Sequence, residues 1–227
     1  MSFLGTYVRY RSALNGRPCV AVFSRRRSEN RKTGDMVQVS FMASGKEPHR
    51  AARTGADVAV CGDCPQRPAN GGACYVVTCQ GPLSQYRAWK RGRYQKGATK
   101  TTKPVRYGAY GDPGSMAPEI FQELHAELSP QEWTGYTHQW HRRPDLAPFL
   151  MASVDSEKEA REAKRAGWRY FRIKRQGDRY LRGEIQCPSE KSRGKVKCRQ
   201  CLLCCGGARK GPHVVINVHG ARKGRFA

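Results

Sequence analysis

Apart from Cys19, the ten cysteines of this 227-residue chain fall in two groups. The first is Cys61, Cys64, Cys74 and Cys79; the second is Cys187, Cys198, Cys201, Cys204 and the adjoining Cys205. Thiolates two residues apart on a tight turn reach the same ion, and sulfurs from farther along complete a tetrahedral or cluster site. In the second group four of the five cysteines, with Cys187, Cys198, Cys201 and Cys204 the expected set, or three with His213, have the composition of a structural zinc site. In the first, four cysteines suit a closed zinc site, whereas Cys61, Cys64 and Cys74 with an open fourth position suit a reactive iron–sulfur cluster. Cys19 stands alone and reads as a small buried apolar residue. The opening ten residues lack an apolar core of signal-peptide type, so a reducing, intracellular setting is expected, where such pairs bind metal rather than form disulfides.

A second set of candidates lies where strands are expected to end. Asp112, His138 and Asp155 each follow a strand-like segment. In parallel α/β folds the strand C-termini converge on one face. Two carboxylates and an imidazole there suffice for general acid–base work or for a nucleophilic carboxylate. Asp112 also fits a plain turn, and Asp155 a helix N-terminus.

Charge identifies the partner. Lys and Arg number 42 against 18 Asp and Glu, a formal net charge of +24. That excess points to a polyanion, nucleic acid first, with DNA favoured over RNA. From Cys64 to Gly111, and from Lys191 onward, there is no carboxylate. The first stretch interleaves rings and cations: Tyr86, Arg87, Trp89, Lys90, Arg91, Arg93, Tyr94, Lys96, Lys100 and Lys103. Such a segment suits stacking on unpaired bases, or else it is a basic helix that turns Tyr86 and Trp89 to the core. No run of about 18 apolar residues is present, so no membrane span is expected.

The elements that must position these groups are clearest after residue 104. Residues 105–110 (VRYGAY) read as a strand, and 118–128 as a helix with Pro118 in its first turn and Ile120, Phe121, Leu124 and Leu128 on one face. Residues 133–136 form a short strand and 149–154 (FLMASV) a doubly buried one. Ser156 and Glu159 form a capping box, Gly167 stops the helix, and 168–173 form another strand. This alternation predicts a parallel sheet wound by right-handed crossovers. The fold class is therefore α/β, a partial or small (β/α) barrel with cysteine-rich, metal-stapled segments. Earlier, 37–42 (VQVSFM) alternates as a strand, 25–32 reads as an exposed loop, and 83–91 suits a helix with Ser84 near its N-cap; later, 214–218 suits a last strand. The organisation expected is 1–60, N-terminal strands and a basic arm; 61–104, a basic cysteine-containing nucleic-acid-binding segment; 105–186, a βαβ core; and 187–227, a metal-binding lobe.

In the order of its motifs the chain resembles a group of small phage-borne proteins. The resemblance is carried by residues 61–65, Cys74 with Tyr75, Gly111 with Asp112, Tyr136 with Thr137, 153–155, and 187–204. More distantly it is similar to two barrel superfamilies. Likeness to guanine transglycosylases implies base exchange or modification on DNA, with Asp112 and Asp155 as acid–base and nucleophile, His138 assisting, and zinc at the C-terminal cysteines. Likeness to radical SAM proteins implies an iron–sulfur cluster on Cys61, Cys64 and Cys74. The resemblance to phage-borne proteins implies action in the cytoplasm of a phage-infected or prophage-bearing bacterium. Charge and cysteines alone equally suit a non-catalytic, zinc-stabilised nucleic-acid-binding accessory protein.

Overall fold

The computed structural model describes residues 2–28 and 30–226; Glu29, within the expected exposed loop, lies outside them. Ten strands form one mixed sheet in the order β4-β1-β2-β3-β5-β6-β7-β8-β10-β9. It opens with an antiparallel meander of β1 (Gly5–Arg11), β2 (Pro18–Ser24) and β3 (Val37–Ala43). Asn15 and Gly16 make the first turn: Gly16 takes a φ of 71° and the Asn15 side chain accepts from the Arg17 N–H at 3.2 Å. Asparagine suits a turn because its side chain accepts from the backbone two residues on, and glycine because it takes left-handed backbone at little cost. Two short helices follow β3, α1 (Pro48–Thr54) and α2 (Val58–Cys61). Next comes α3 (Gly81–Lys90), which leads to the two-residue β4 (Gln95–Lys96) on the outer edge of β1.

The helix α3 begins at Gly81, two residues before the expected start. Pro82 fixes its first turn, so Ser84 lies inside the helix rather than capping it.

The second half follows the predicted alternation. β5 (Val105–Tyr110), α4 (Pro118–Leu128), β6 (Trp133–Thr137), β7 (Met151–Val154), α5 (Glu157–Arg165) and β8 (Tyr170–Lys174) occur in that order. All neighbouring strands from β3 through β5, β6, β7 and β8 to β10 (His213–Asn217) run parallel. The short β9 (Glu184–Gln186) pairs parallel to β10 at the far edge. Ser156 caps α5 by accepting from the Glu159 N–H at 3.1 Å, and the Glu159 carboxylate turns back to the N–H of Asp155 at 2.6 Å.

The barrel does not close. Strand order ends at β4 on one side and β9 on the other, and no pairing among the described residues joins them. Edges of two and three residues offer too few backbone groups for a closing ladder. One face of the sheet packs on α4 and α5 through Tyr107, Phe121, Leu124, Leu128, Ala160 and Ala163. The opposite face is covered by α3 beside β2, where Val20, Val22, Met42, Tyr86 and Trp89 cluster. Farther across, cysteine-bearing segments take over, with Cys204 and Cys187 packed against Met151 and Val214. Within the second segment lie two one-turn helices, α6 (Pro188–Lys191) and α7 (Cys198–Cys201).

The stretch from β8 to β9 is locked by a buried ion pair. Arg172 donates to both oxygens of Glu184 at 2.6 and 2.7 Å, with side chains only 3 % and 0 % exposed. Replacing Glu184 by alanine leaves a guanidinium buried without its counter-charge; urea unfolding of Glu184→Ala is expected to show a loss of about 3–5 kcal/mol.

Candidate functional site

A cavity of about 420 Å³ lies on the face of the parallel strands opposite α4 and α5. Strand side chains alternate between faces, so Arg106 and Gly108 of β5, Tyr136 of β6, and Phe171 and Ile173 of β8 enter its wall, as does His138 just beyond β6. The two cysteine segments supply the rest, through Cys61, Cys64 and Cys74 from one and Cys187 and Cys198 from the other.

Strand ends organise the polar groups. Gly111, at φ 72°, ends β5 where a Cβ would lie 2.3 Å from the carbonyl oxygen of Phe41, so only glycine fits. Asp112 follows, 7 % exposed, and both its oxygens are engaged. Oδ1 accepts from the Gly114 N–H and the Thr137 hydroxyl, each at 2.7 Å, and Oδ2 accepts from the His138 N–H at 2.7 Å. Burial raises its carboxyl above the ordinary value despite these bonds. Asp112 thus braces the end of β5 to the end of β6, and it borders the cavity with both oxygens already engaged.

The His138 ring extends this network, with Nε2 3.3 Å from Oδ2 of Asp155. Burial alone would lower the imidazole pKa, but Cys64 and the Asp155 carboxylate beside it outweigh burial and hold it well above the usual value. Asp155 shows the converse: burial would raise it, and His138 keeps it below the ordinary carboxylate range. The three residues expected to converge do so, as a brace and an ion pair.

Cys61, Cys64 and Cys74 lie on one loop shaped by Arg67. That side chain donates to Asp57 Oδ1 at 2.6 Å and to the carbonyls of Gly55 and Gly62 at 2.8 and 3.1 Å. Gln139, just past β6, ties the same loop to the strand end by donating to Asp63 at 2.9 Å and to the Cys61 carbonyl at 3.3 Å. Burial raises the Cys61 thiol well above its usual pKa, and Cys64 and Cys74 raise it further. Cys79 is exposed in the turn before α3 and is absent from the cavity wall. In exposure it differs from the other three, which are half-buried.

In the second segment burial raises the Cys204 thiol, and Cys187, Cys198 and Cys201 add to the effect. Arg169 holds this segment, donating to the carbonyls of Leu203, Gly206, Pro212 and Arg209 at 2.8, 2.8, 2.9 and 3.2 Å. His213 is not with these sulfurs. It stacks on Tyr170 at 3.8 Å and accepts from the Tyr170 N–H, while its neighbour Val214 packs on Cys204. Alternation along β10 puts His213 on the opposite face. None of the cysteines is disulfide-bonded. Among the described residues no three His, Cys, Asp or Glu side chains are close enough to hold a metal ion as they stand.

The basic segment divides. Tyr86, Trp89 and Tyr94 are buried, and the Tyr86 hydroxyl donates to the Ser44 carbonyl at 2.9 Å, so these rings are core and cannot stack on bases. Lys90 lies 4.8 Å over the Trp89 ring. Arg87 pairs with Glu47, and Lys103 with Asp35, both at 2.9 Å. Arg91, Arg93, Lys96 and Lys100 are exposed.

Several residues of the site were not anticipated from sequence. Arg67 and Arg169 shape the loops, and Arg106, Tyr75 and His219 line the cavity. Only Arg106 carried a readable signal, as a charge between Val105 and Tyr107 in an otherwise apolar strand. Comparison with protein-family models, curated proteins and solved structures finds no match. Among the described residues no helix is long and apolar enough to cross a membrane.

Asp112→Ala strands three donors in the interior. At about 1–3 kcal/mol per unsatisfied group, urea unfolding is expected to show a loss of at least about 3 kcal/mol; a loss below about 1 kcal/mol would contradict the bracing role.

Proposed function

We propose that the protein is a metal-dependent enzyme that modifies nucleic acid, DNA in preference to RNA, with the cavity as its active site. One observation carries this reading: Cys61, Cys64 and Cys74 share a cavity wall with His138 at the C-terminal side of parallel strands, where α/β enzymes place their chemistry. Soft sulfur donors suit zinc or an iron–sulfur cluster. Each thiolate raises the pKa of its neighbours, and a cation relieves that repulsion. The sulfurs do not form a closed shell as they stand, so binding draws the loop inward. When bound, the centre supplies Lewis-acid or electron-transfer chemistry. His138, whose Nε2 faces Asp155, holds a proton beside the cavity. Cys187, Cys198, Cys201 and Cys204 hold a structural zinc that braces the opposite wall.

Within this reading, base modification at a metal centre is favoured over base exchange through an attacking aspartate. Asp112 has both oxygens engaged, and Asp155 lies behind His138, outside the cavity wall. The radical-SAM-like variant has a specific support: three thiols, with Cys79 exposed, follow β3, the first of seven parallel neighbours in what is then a partial barrel. Arg91, Arg93, Lys96 and Lys100 hold the phosphate backbone. A nucleic-acid substrate in a phage-bearing bacterium places the protein in the cytoplasm.

Metal analysis of anaerobically purified protein tests the centre. Serine at Cys61, Cys64 or Cys74 is expected to remove one metal equivalent, while Cys79→Ser retains it; absorbance near ~400 nm identifies iron–sulfur over zinc. Mass spectrometry of nucleosides from co-expressed DNA is expected to show a new base that disappears with Cys64→Ser. Nucleic-acid binding without any altered base, in metal-loaded protein, would instead assign the accessory-protein role.

Replacing Arg91, Arg93, Lys96 and Lys100 with glutamine is expected to weaken binding to all DNA sequences alike and to flatten its salt dependence by nearly one unit of slope for each phosphate no longer neutralised. Trp89→Ala should lower thermal stability instead.

A further inference from the structure

We infer that Arg106 anchors the anionic group of a planar, heterocyclic ligand of nucleotide size in the cavity. The inference rests on the cavity being the substrate site, as proposed above. Its warrant is a difference from the other inward-lying arginines: Arg169, also without a carboxylate, spends its donors on four carbonyls, and three more have counter-charges. Arg67 has Asp57 as its counter-charge at 2.6 Å, Arg143 has Asp145 at 2.7 Å, and Arg172 has Glu184 at 2.6 Å. Arg106 pairs with no carboxylate among the described residues. Its sole hydrogen bond there runs from Nη2 to the Tyr75 hydroxyl at 3.0 Å. Protein surrounds it, yet it keeps accessible surface, and that surface belongs to the cavity. A guanidinium taken out of bulk water without a counter-charge is costly, so the missing partner is expected to arrive with the ligand.

The carboxylates near the cavity cannot supply it. Asp57 is held by Arg67, and Asp112 by three donors. Glu190 accepts from the Asn217 N–H at 3.1 Å and from the Gln186 amide at 3.0 Å. Lys32 lines the same cavity and adds a second positive charge. The remaining N–H groups of Arg106 form a planar fork, the geometry that matches a phosphate or carboxylate.

The rest of the wall suits a flat ring system. Tyr136 lies against Phe171 at 4.4 Å, and Tyr75 lies against His219 at 5.0 Å with 30° between planes. About 420 Å³ is in the range of small-molecule sites. Two ligands share the required chemistry: a displaced nucleotide, whose anion is its phosphate, and a nucleoside cofactor, whose anion is a carboxylate. Arg106 could also serve only as the counter-charge of the nearby Cys198 thiolate, and the experiment separates that case.

Calorimetric titration of the full, metal-loaded chain uses three probes: 2′-deoxynucleoside 5′-monophosphates, the same nucleosides without phosphate, and S-adenosylhomocysteine as a carboxylate-bearing nucleoside. Either a monophosphate or the carboxylate probe is expected to bind roughly tenfold or more tighter than the unmodified nucleoside, as charge-assisted hydrogen bonds produce. Which of the two does so names the source of the anion. Arg106→Gln is expected to abolish the difference with metal content unchanged, and Arg106→Lys to keep part of it, since the charge stays and the fork is lost. Equal affinity for charged and uncharged probes in the unaltered protein overturns the inference. So does loss of zinc from either variant with anion preference intact, which assigns Arg106 to the thiolates. Should Arg106→Gln fail to fold, the lysine variant decides alone: undiminished anion preference there overturns the fork. Anion binding that depends on Arg106 in a protein that alters no base upholds this inference while removing the enzymatic reading above.

Discussion

Parallel strands must be covered on both faces, and this sheet covers one of them with irregular chain. On the side of α4 and α5 the cover is regular, and helices satisfy their own backbone groups. On the other side, beyond α3, two cysteine-bearing segments lie against β5 to β10. Buried irregular chain has carbonyls and N–H groups that no ladder satisfies. Guanidinium groups meet that need here. Arg67 gathers the carbonyls of the first segment and Arg169 those of the second. Because such a cover follows side-chain anchors rather than a helical surface, it does not seal against the sheet, and the space left is the cavity.

That arrangement explains why charge accumulates in the interior. At the strand ends each exposed backbone donor needs an acceptor, and Asp112 serves three groups at once. With Asp112 occupied in joining β5 to β6, His138 is delivered at a fixed position, and its ring meets Asp155 at the end of β7. The brace, the imidazole and its carboxylate partner come from three successive strand ends, which the sheet holds about one strand spacing apart. Small displacements at any one of them therefore reach the others.

The second half of the fold was legible because its signals are local. Pro118 and Ser156 mark helix starts, Gly167 marks a stop, and the apolar run ending at Val154 marks a buried strand. The strand-end residues Asp112, His138 and Asp155 could be located for the same reason. The N-terminal meander was harder, since β2 is apolar on both faces and shows no alternation, although Asn15-Gly16 was a usable hairpin signal. Aromatic residues in the basic segment were ambiguous by nature: Tyr86 and Trp89 at helical spacing serve a core as well as a stacking surface, and only tertiary packing on Val20, Val22 and Met42 decides. Closure of a barrel, the exposure of Cys79, and the loop-gathering roles of Arg67 and Arg169 depend on long-range geometry that no spacing encodes.

The two cysteine groups, far apart in sequence, border one cavity, and this couples them physically. Thiols that are mutually close and buried stay protonated, since each anion raises the next. The cation proposed above would reverse the balance, favour the thiolates and draw its segment against the sheet. Ligands that must lose protons and move together make metal affinity part of folding energy. On the proposed reading, a metal held by the second segment would steady the wall that faces Arg106 and Tyr136, and one held by the first would fix the loop joined to the end of β6 by Gln139. Each would then shape the space that the other also borders, so a chain with both filled would have a more sharply defined cavity than one with either alone.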